Sequence, residues 1–483
     1  MNINESIDLQ DFKVPSLENL HQPPSIACLL SRRSKVQGAL KGGEVALICA
    51  GEPAPRNFLA NSYMGFRATS HFLYLVGRHL PSAILWLERD ELRLYASAPT
   101  RSAALWHGEE LSLQALSEEI ACDVRDLNLL ESDLRSVGDI LRPPSFQPST
   151  SLTLMRLTGR ADDPSRDRVI NEALIQARLI HDEEAITQLR WASALTREAH
   201  LAGMRASQEA HWAHEIHAAM SIPLISRGSG FAYAPIITPH GEVLHNHDYH
   251  TRLNSDDLIL ADVGAETPQG WAGDVTRTWP KNGVWSPSQA AVYDVVLEAL
   301  KSSSELASPG IEYAMIHRKA REILTEGLID LKILKGGIEE NLEANSIALF
   351  FPHGVGHLLG LDVHDMEDMG DLAGYATGRE RRSLFGWGYL RLDRKLQAGM
   401  AVTIEPGFYQ VPALLRDPTW AGPRAGDYVN WERLHHFKDV RGIRIEDDLL
   451  IQHEGAEVLS AGIPVERSAL SQVVNRASDP TIG

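Results

Sequence analysis

The sequence predicts an α/β N-terminal domain, followed by a larger domain in which long helices alternate with carboxylate-bearing strands. Three observations carry this expectation. Short apolar runs separated by turns, with helical patterns between them, fill the first third. A stretch rich in proline, serine and charge at about residues 142–166 has linker character. Beyond it come long amphipathic patterns and apolar strands that hold aspartate, glutamate and histidine. At 483 residues, and about 100–200 residues per domain, two domains are the simplest division, placed at 1–175 and 176–483.

Taken in order, residues 1–30 read as an irregular arm, with Pro23-Pro24 breaking any early helix. VALICAG from Val45, then SHFLYLVG, then AILWLERDELRLYASAP read as strands, ERDE forming a turn, and SLQALSEEIA reads as a helix. In DEEAITQLRWASALTREAHLAGM, Asp182 is the expected N-cap and Ile186, Leu189, Ala192, Leu195 and Ala199 form one helix face. Ser286-Pro287-Ser288-Gln289 has a capping-box pattern with proline at the first helical position.

Composition excludes several classes. Against 46 Lys and Arg stand 64 Asp and Glu, a net charge of −18, which argues against a nucleic-acid or anionic-membrane binder. No apolar run approaches the roughly 18 residues of a membrane span. Cys28, Cys49 and Cys122 lack CxxC spacing and build neither a metal cage nor a disulfide framework. The polar, acidic start MNINESIDLQ does not read as a secretory signal, so a cytoplasmic location is expected. The 20 histidines, several near carboxylates in the second half, are the unusual feature.

In DDLILADVGAETPQGWAGDVTRTWP, Asp262 and Asp274 fall on strands joined by the turn Thr267-Pro268-Gln269-Gly270. A turn centred on Pro268 sets the two aspartates directly opposite, with Cβ atoms about 4.5–5.5 Å apart. Two like charges in an apolar strand pair repel and lose hydration unless a cation lies between them; the plain alternative is an exposed hairpin. AVTIEPG brings Glu405 in phase with Thr403 before a Pro-Gly turn. GIRIEDDLLI, read as one strand, puts Arg444, Glu446 and Asp448 on one face. Singly, each glutamate reads as an exposed-face residue. Together the four carboxylates point to a metal site.

FFPHGVGHLLGLDVHD carries His353, His357 and His364. The HxxxH spacing lacks the glutamate of a zincin helix, and its glycines favour an extended segment that allows close backbone approach. His245 is placed to join them. His211, His214 and His217, at three-residue spacing, read as a solvated helix face, and His247, His250, His435 and His436 as surface residues.

In this order LADVGAE, GWAGDVTRTWP, PHGVGHLLGLDVHD, AVTIEPGFY and GIRIEDD resemble the proline-specific metallopeptidases of the pita-bread fold, aminopeptidase P and prolidase, relatives of methionine aminopeptidase. The resemblance runs from about 178 to about 460, and FRATSHFLYLVG looks like the family's strand near the active-site mouth. It implies an α+β, creatinase- and methionine-aminopeptidase-like catalytic domain that holds two divalent ions, Mn²⁺ by preference. Asp262 would chelate one ion and His357 with Glu405 the other, while Asp274 and Glu446 bridge. It further implies substrate-binding or transition-state roles for His245, His353 and His364, Glu405 as proton carrier, and Arg444 and Tyr233 as supports of Asp262. A proline-containing peptide is the implied substrate, in a homodimer or homotetramer. Arg391 matches the prolidase arginine that clamps a free C-terminal carboxylate, and the long segment between Glu405 and Glu446 resembles the bacterial prolidase insertion. Dipeptidase is therefore placed before aminopeptidase. Non-catalytic pita-bread binding proteins and creatinase typically lack the metal ligands, whereas all five matching positions are filled here.

Overall fold

The computed structural model describes residues 19–54 and 65–476. The chain forms two compact units. One holds His21–Glu184 with Met366–Ala373; the other holds Ala185–Asp365 and the chain from Gly374 onward. Residues 1–18 of the expected arm lie outside the described residues.

The smaller unit is built on a mixed five-stranded sheet. Its spatial order is Asp123–Asp126, Leu92–Ala96, Ile84–Leu87, Glu44–Cys49 and Asp139–Leu141. The ERDE turn forms as expected, Glu88 N–H donating to the Glu91 carbonyl at 2.8 Å. Val45, Leu47, Trp86, Tyr95 and Leu154 make its core. Three local expectations fail. SHFLYLVG is a helix, Ser70–Val76, with all seven residues buried and Gly77 closing it at φ +71°. A short run buried on every side has no periodicity to separate strand from helix, and only the glycine cap marked it. The linker holds the helix Pro148–Thr158, opened by proline at its first position and burying Thr150 and Leu154. The arm gives way to a helix at Ile26–Gln37, whose Ser25 hydroxyl accepts the Cys28 N–H, so Pro23-Pro24 precede a helix rather than break one. The carboxylate of Asp182 binds buried Arg32 Nε and Nη2 at 2.7 and 2.9 Å.

The larger unit sets strands of three small antiparallel sheets around one cavity. Leu258–Asp262 lies between Ile236–Thr238 and Thr276–Pro280. Asp447–Ile451 lies between Ala401–Ile404 and Ala456–Val458, and Gly407–Tyr409 pairs with Gly442–Arg444. Helices Glu183–Ala206, Pro287–Leu306 and Tyr313–Asp330 support them. The capping box is present: the Gln289 N–H donates to Ser286 Oγ at 3.1 Å and the Ser286 N–H to Gln289 Oε1 at 3.0 Å. Trp279 Nε1 donates to Ser207 Oγ at 2.8 Å, tying the aspartate hairpin to the residue that follows the first of these helices.

Two registers differ from expectation. Asp262 pairs with Thr276, not Asp274. Thr267 N–H bonds the Trp271 carbonyl, and Gly270 adopts φ +87°. The loop is therefore the three residues Pro268–Gln269–Gly270 with a left-handed glycine, which moves the hairpin centre one residue along. The shift of two in pairing preserves parity, so both aspartates still share a face. GIRIEDDLLI is two strands rather than one, interrupted at Ile445-Glu446, and the chain passes from one sheet to the other there. A single-sequence pattern of apolar residues does not reveal such a change of partner.

Close approach fixes the hairpin base. A Cβ on Gly264, two residues after Asp262, would stand 1.7 Å from the carbonyl oxygen of Gly273, the residue before Asp274. Gly264→Ala is expected to destabilise the protein by about 3 kcal/mol, the upper range for overpacking, as read by denaturant unfolding; an unchanged midpoint would contradict this packing.

Candidate metal centre

Strand ends and breaks deliver the carboxylates. Asp262 ends its strand, Asp274 precedes Thr276–Pro280, Glu405 follows Ala401–Ile404, and Glu446 occupies the break between two strands. The His353–His357 segment runs extended alongside Ala401–Ile404. The Thr403 N–H donates to the His357 carbonyl at 3.0 Å and the Glu405 N–H to the Val355 carbonyl at 2.8 Å. A Cβ at Gly356 would lie 2.2 Å from the Thr403 carbonyl, so glycine there permits the approach that brings His357 to the carboxylates.

All of Asp262, Asp274, His357, Glu405 and Glu446 line one cavity of about 410 Å³, together with His245, His353, His364, Arg391 and Arg444. Ligand atoms of Asp274, His357 and Glu446 lie within 4.8 Å of one another. His357 Nδ1 donates to the Leu358 carbonyl at 2.9 Å. That fixes the tautomer and leaves the Nε2 lone pair facing Asp274 Oδ2 at 3.3 Å. A lone pair facing a carboxylate oxygen is repulsive unless a proton or a cation stands between them. Residues present thus fit a metal centre: several carboxylate oxygens and one imidazole nitrogen, buried and aimed at a common space.

Electrostatics agree. Burial, followed by the charge of Asp262, pushes Asp274 up to about 8. Burial pushes Glu405 up to about 8 against the opposing charge of Arg444, and Asp274 adds to the rise. Glu446 rises well above its ordinary value through burial and then Asp274. Asp262 alone goes down: burial opposes its charge, but Arg444 and the Tyr233 hydroxyl outweigh it. Arg444 Nη2 binds Asp262 Oδ2 at 2.6 Å. The Tyr233 hydroxyl spans Asp262 Oδ1 at 2.6 Å and Asp274 Oδ1 at 2.5 Å. A cluster in which protons are retained to well above pH 5 is one where cations can replace them.

The structure also brings in residues that the sequence pattern did not single out. Thr276 Oγ1 donates to Glu446 Oε2 at 2.8 Å and accepts from Arg444 Nε at 3.1 Å. Tyr409 Oη lies 3.0 Å from Arg444 Nη1 and 2.9 Å from His353 Nε2. His353 Nδ1 donates to the Gly354 carbonyl at 2.7 Å, so its Nε2 accepts from Tyr409. Burial, aided by Arg444, drives His353 down to about 3 and holds it neutral. Asp448 is buried behind the site, where its Oδ2 accepts the Asp274 N–H at 3.0 Å. The phase of GIRIEDD with Asp448 on the Glu446 face was the one available signal for these.

His364 stacks edge-on to His357, ring centroids 4.3 Å apart. His245 is exposed at the rim, and burial of part of its ring lowers its proton affinity. Phe385, Tyr389, Leu414 and Trp420 add apolar lining to the cavity, the last two from the segment between Glu405 and Glu446. His211, His214, His247, His250, His435 and His436 are exposed. His217 differs, half-buried and stacked on Tyr249 at 4.5 Å. The three cysteines are free thiols, and no described helix is long and apolar enough to cross a membrane.

Comparison with known proteins adds the following. Residues 187–453 match the model of metallopeptidase family M24, and residues 30–139 that of the aminopeptidase P N-terminal domain. A probable Xaa-Pro aminopeptidase of Talaromyces marneffei is 31% identical over 83% of this chain and 86% of its own length. The human Xaa-Pro dipeptidase is 28% identical over 89% of each chain. Among solved structures, proline aminopeptidase P II from Yersinia pestis matches with TM-score 0.78 and 26% identity, covering 94% of this chain and all of that one. A variant of Escherichia coli aminopeptidase P in complex with substrate matches with TM-score 0.79 and 25% identity over 94% and 99%.

Proposed function

Because this chain belongs to metallopeptidase family M24 and its catalytic domain has the pita-bread fold, we propose that it hydrolyses Xaa-Pro peptide bonds with two divalent ions held in the carboxylate cavity. The observation that carries this reading is His357 Nε2 set 3.3 Å from Asp274 Oδ2 among buried carboxylates. Its relatives are Xaa-Pro aminopeptidases and an Xaa-Pro dipeptidase. Asp262 would serve one ion, His357 and Glu405 the other, and Asp274 and Glu446 both. One nitrogen among many oxygens suits a hard ion such as Mn²⁺. When bound, two such ions supply Lewis-acid charge and a water acidified to near neutral pH.

The protein's own groups do the rest. Glu405, a carboxylate on the cavity lining, takes the water's proton and delivers it to the departing proline nitrogen. His364 is placed to donate to the oxyanion that develops on the scissile carbonyl. His353, neutral and locked by Tyr409 and Gly354, forms a fixed polar wall, and its Nδ1 is 3.8 Å from Glu405. His245 at the rim orients the peptide's carbonyl. Arg444 and Tyr233 keep Asp262 ionised and aimed inward. The X–Pro bond is a tertiary amide lacking N–H, which ordinary backbone-binding proteases disfavour.

We place dipeptidase first because Arg391 lines the cavity, where a guanidinium fork suits a free carboxylate. Aminopeptidase action on longer peptides is the second reading. Arg391→Ala is expected to raise KM for Ala-Pro at least about tenfold, with a smaller change in kcat. Wild-type kcat/KM for Ala-Pro-Ala equal to that for Ala-Pro would overturn the dipeptidase order. The proposed division places the N-terminal domain at 1–175 and the catalytic domain at 176–483, in a cytoplasmic homodimer or homotetramer.

A further inference from the structure

Arg321 sits in the core of the larger unit, 2% exposed, and makes no ion pair among the described residues. Its Nη2 donates to Asn345 Oδ1 at 2.6 Å, while Nη1 is buried without any hydrogen-bond partner. Burial alone, with no opposing counter-charge, pulls this guanidinium down to about 10. One turn earlier on the same helix, His317 is fully buried, and neither of its ring nitrogens has a partner. Both side chains converge on Trp387: the His317 ring meets it edge-on at 4.6 Å, and Arg321 Cζ lies 5.7 Å from its centre. Arg382 covers the same indole at 4.1 Å and, among the described residues, makes no ion pair. An isolated buried cation costs several kcal/mol and calls for an anion.

Arg321, Arg382 and Trp387 line a second cavity, of about 710 Å³, distinct from the catalytic one. Of its other arginines, Arg379 is engaged by Glu312 at 2.6 Å and Asp393 at 2.7 Å, and Arg318 by Glu322 at 2.7 Å. That leaves Arg321 and Arg382 as uncompensated cations. On the same lining, Glu339, Glu343 and Glu380 make no hydrogen bond or ion pair among the described residues. Uncompensated charges of both signs in one cavity favour a ligand that itself carries both, and the three carboxylates repel a plain polyanion.

We propose that this cavity is a binding site for a small zwitterion, an amino acid whose carboxylate lies on Arg321 and Arg382 and whose ammonium faces Glu343 and Glu380. The inference stands independently of the peptidase reading, since none of these groups belongs to the carboxylate cavity.

Titration calorimetry of the metal-loaded protein with glycine tests it. Wild-type protein is expected to show a site whose affinity drops at least tenfold in R382A and in R321M and is retained in R391A. Acetate and methylammonium, each offering half of the zwitterion, are expected to bind that site at least tenfold more weakly than glycine. Inorganic phosphate binding there as tightly as glycine would overturn the zwitterion assignment. Coincident glycine isotherms for wild type, R382A and R321M would overturn the site itself. Arg382 is an exposed side chain, so its variant carries the test even if Arg321 proves necessary for folding.

Discussion

Asp274→Asn is expected to lower kcat/KM for an Xaa-Pro substrate on the order of 10³-fold, about 4 kcal/mol of transition-state stabilisation, with the protein still folded. Asp274 is the carboxylate on which the site converges. His357 Nε2 faces one oxygen and the Tyr233 hydroxyl the other, while its backbone N–H rests on Asp448. An amide is isosteric but neutral, so the pocket keeps its shape and loses one of the negative charges that hold a cation. Bound metal per chain should fall with activity, by elemental analysis, while the melting temperature of the metal-free variant should equal or exceed that of the metal-free wild type. The last expectation follows from charge: below about pH 8 an amide replaces a protonated carboxyl, and above it the substitution removes a repulsive partner from Glu446 and Glu405. Full activity in Asp274→Asn would remove the dinuclear reading.

Metal-free protein should lose stability as pH rises, the reverse of the usual acid denaturation. Asp274 and Glu405 bind their protons up to about 8 in the folded state, and Glu446 also titrates high. In the unfolded chain such groups titrate near 4. Between these limits the folded state binds more protons than the unfolded one, so stability falls with increasing pH. Asp262 contributes the opposite sign at the acid end, and the buried neutral histidines His200, His317 and His353 contribute it below about pH 6.5, a narrower window than that of the three carboxylates. A drop in Tm of at least about 5 °C from pH 5.5 to 8 is expected for the metal-free protein, since about 1 kcal/mol corresponds to 2–4 °C at this domain size. Divalent ions should cancel it: binding displaces the same protons, and at about 1,000 times Kd it adds about 4 kcal/mol. Parallel Tm–pH curves with and without metal would contradict the arrangement.

How far the sequence revealed this varies with what each feature depends on. The gathering of the candidate site was legible because Asp262, Asp274, Glu405 and Glu446 are charges in or beside apolar strands, an anomaly that burial makes costly and therefore meaningful. The grouping of the histidines followed from Gly356, whose missing side chain lets the segment lie against Thr403. The hairpin register was off by one at the turn because a Pro-Gln-Gly loop with a left-handed glycine is indistinguishable, in composition, from the tighter turn. Tyr409 and Thr276 stayed hidden for another reason. They act through contacts between strands far apart in the chain, Tyr409 on Arg444 and Thr276 on Glu446, and nothing local marks such a partner. In the smaller unit, the uniformly apolar Ser70–Val76 run carried no period, so tertiary burial on all sides, not propensity, decided for a helix. Arg321 is a third kind: in sequence it is one basic residue on an amphipathic helix, and only its burial without a counter-ion makes it notable.

The central claim is that five side chains hold two divalent ions that together cleave the Xaa-Pro bond. Titrating Mn²⁺ into metal-free protein at a concentration far above Kd, while counting bound ions and measuring Ala-Pro hydrolysis on the same samples, tests it most directly. The account predicts saturation at two ions per chain, with full activity reached only as the second site fills. Full hydrolysis at one ion or none, or two bound ions without cleavage of either Ala-Pro or Ala-Pro-Ala, would contradict it.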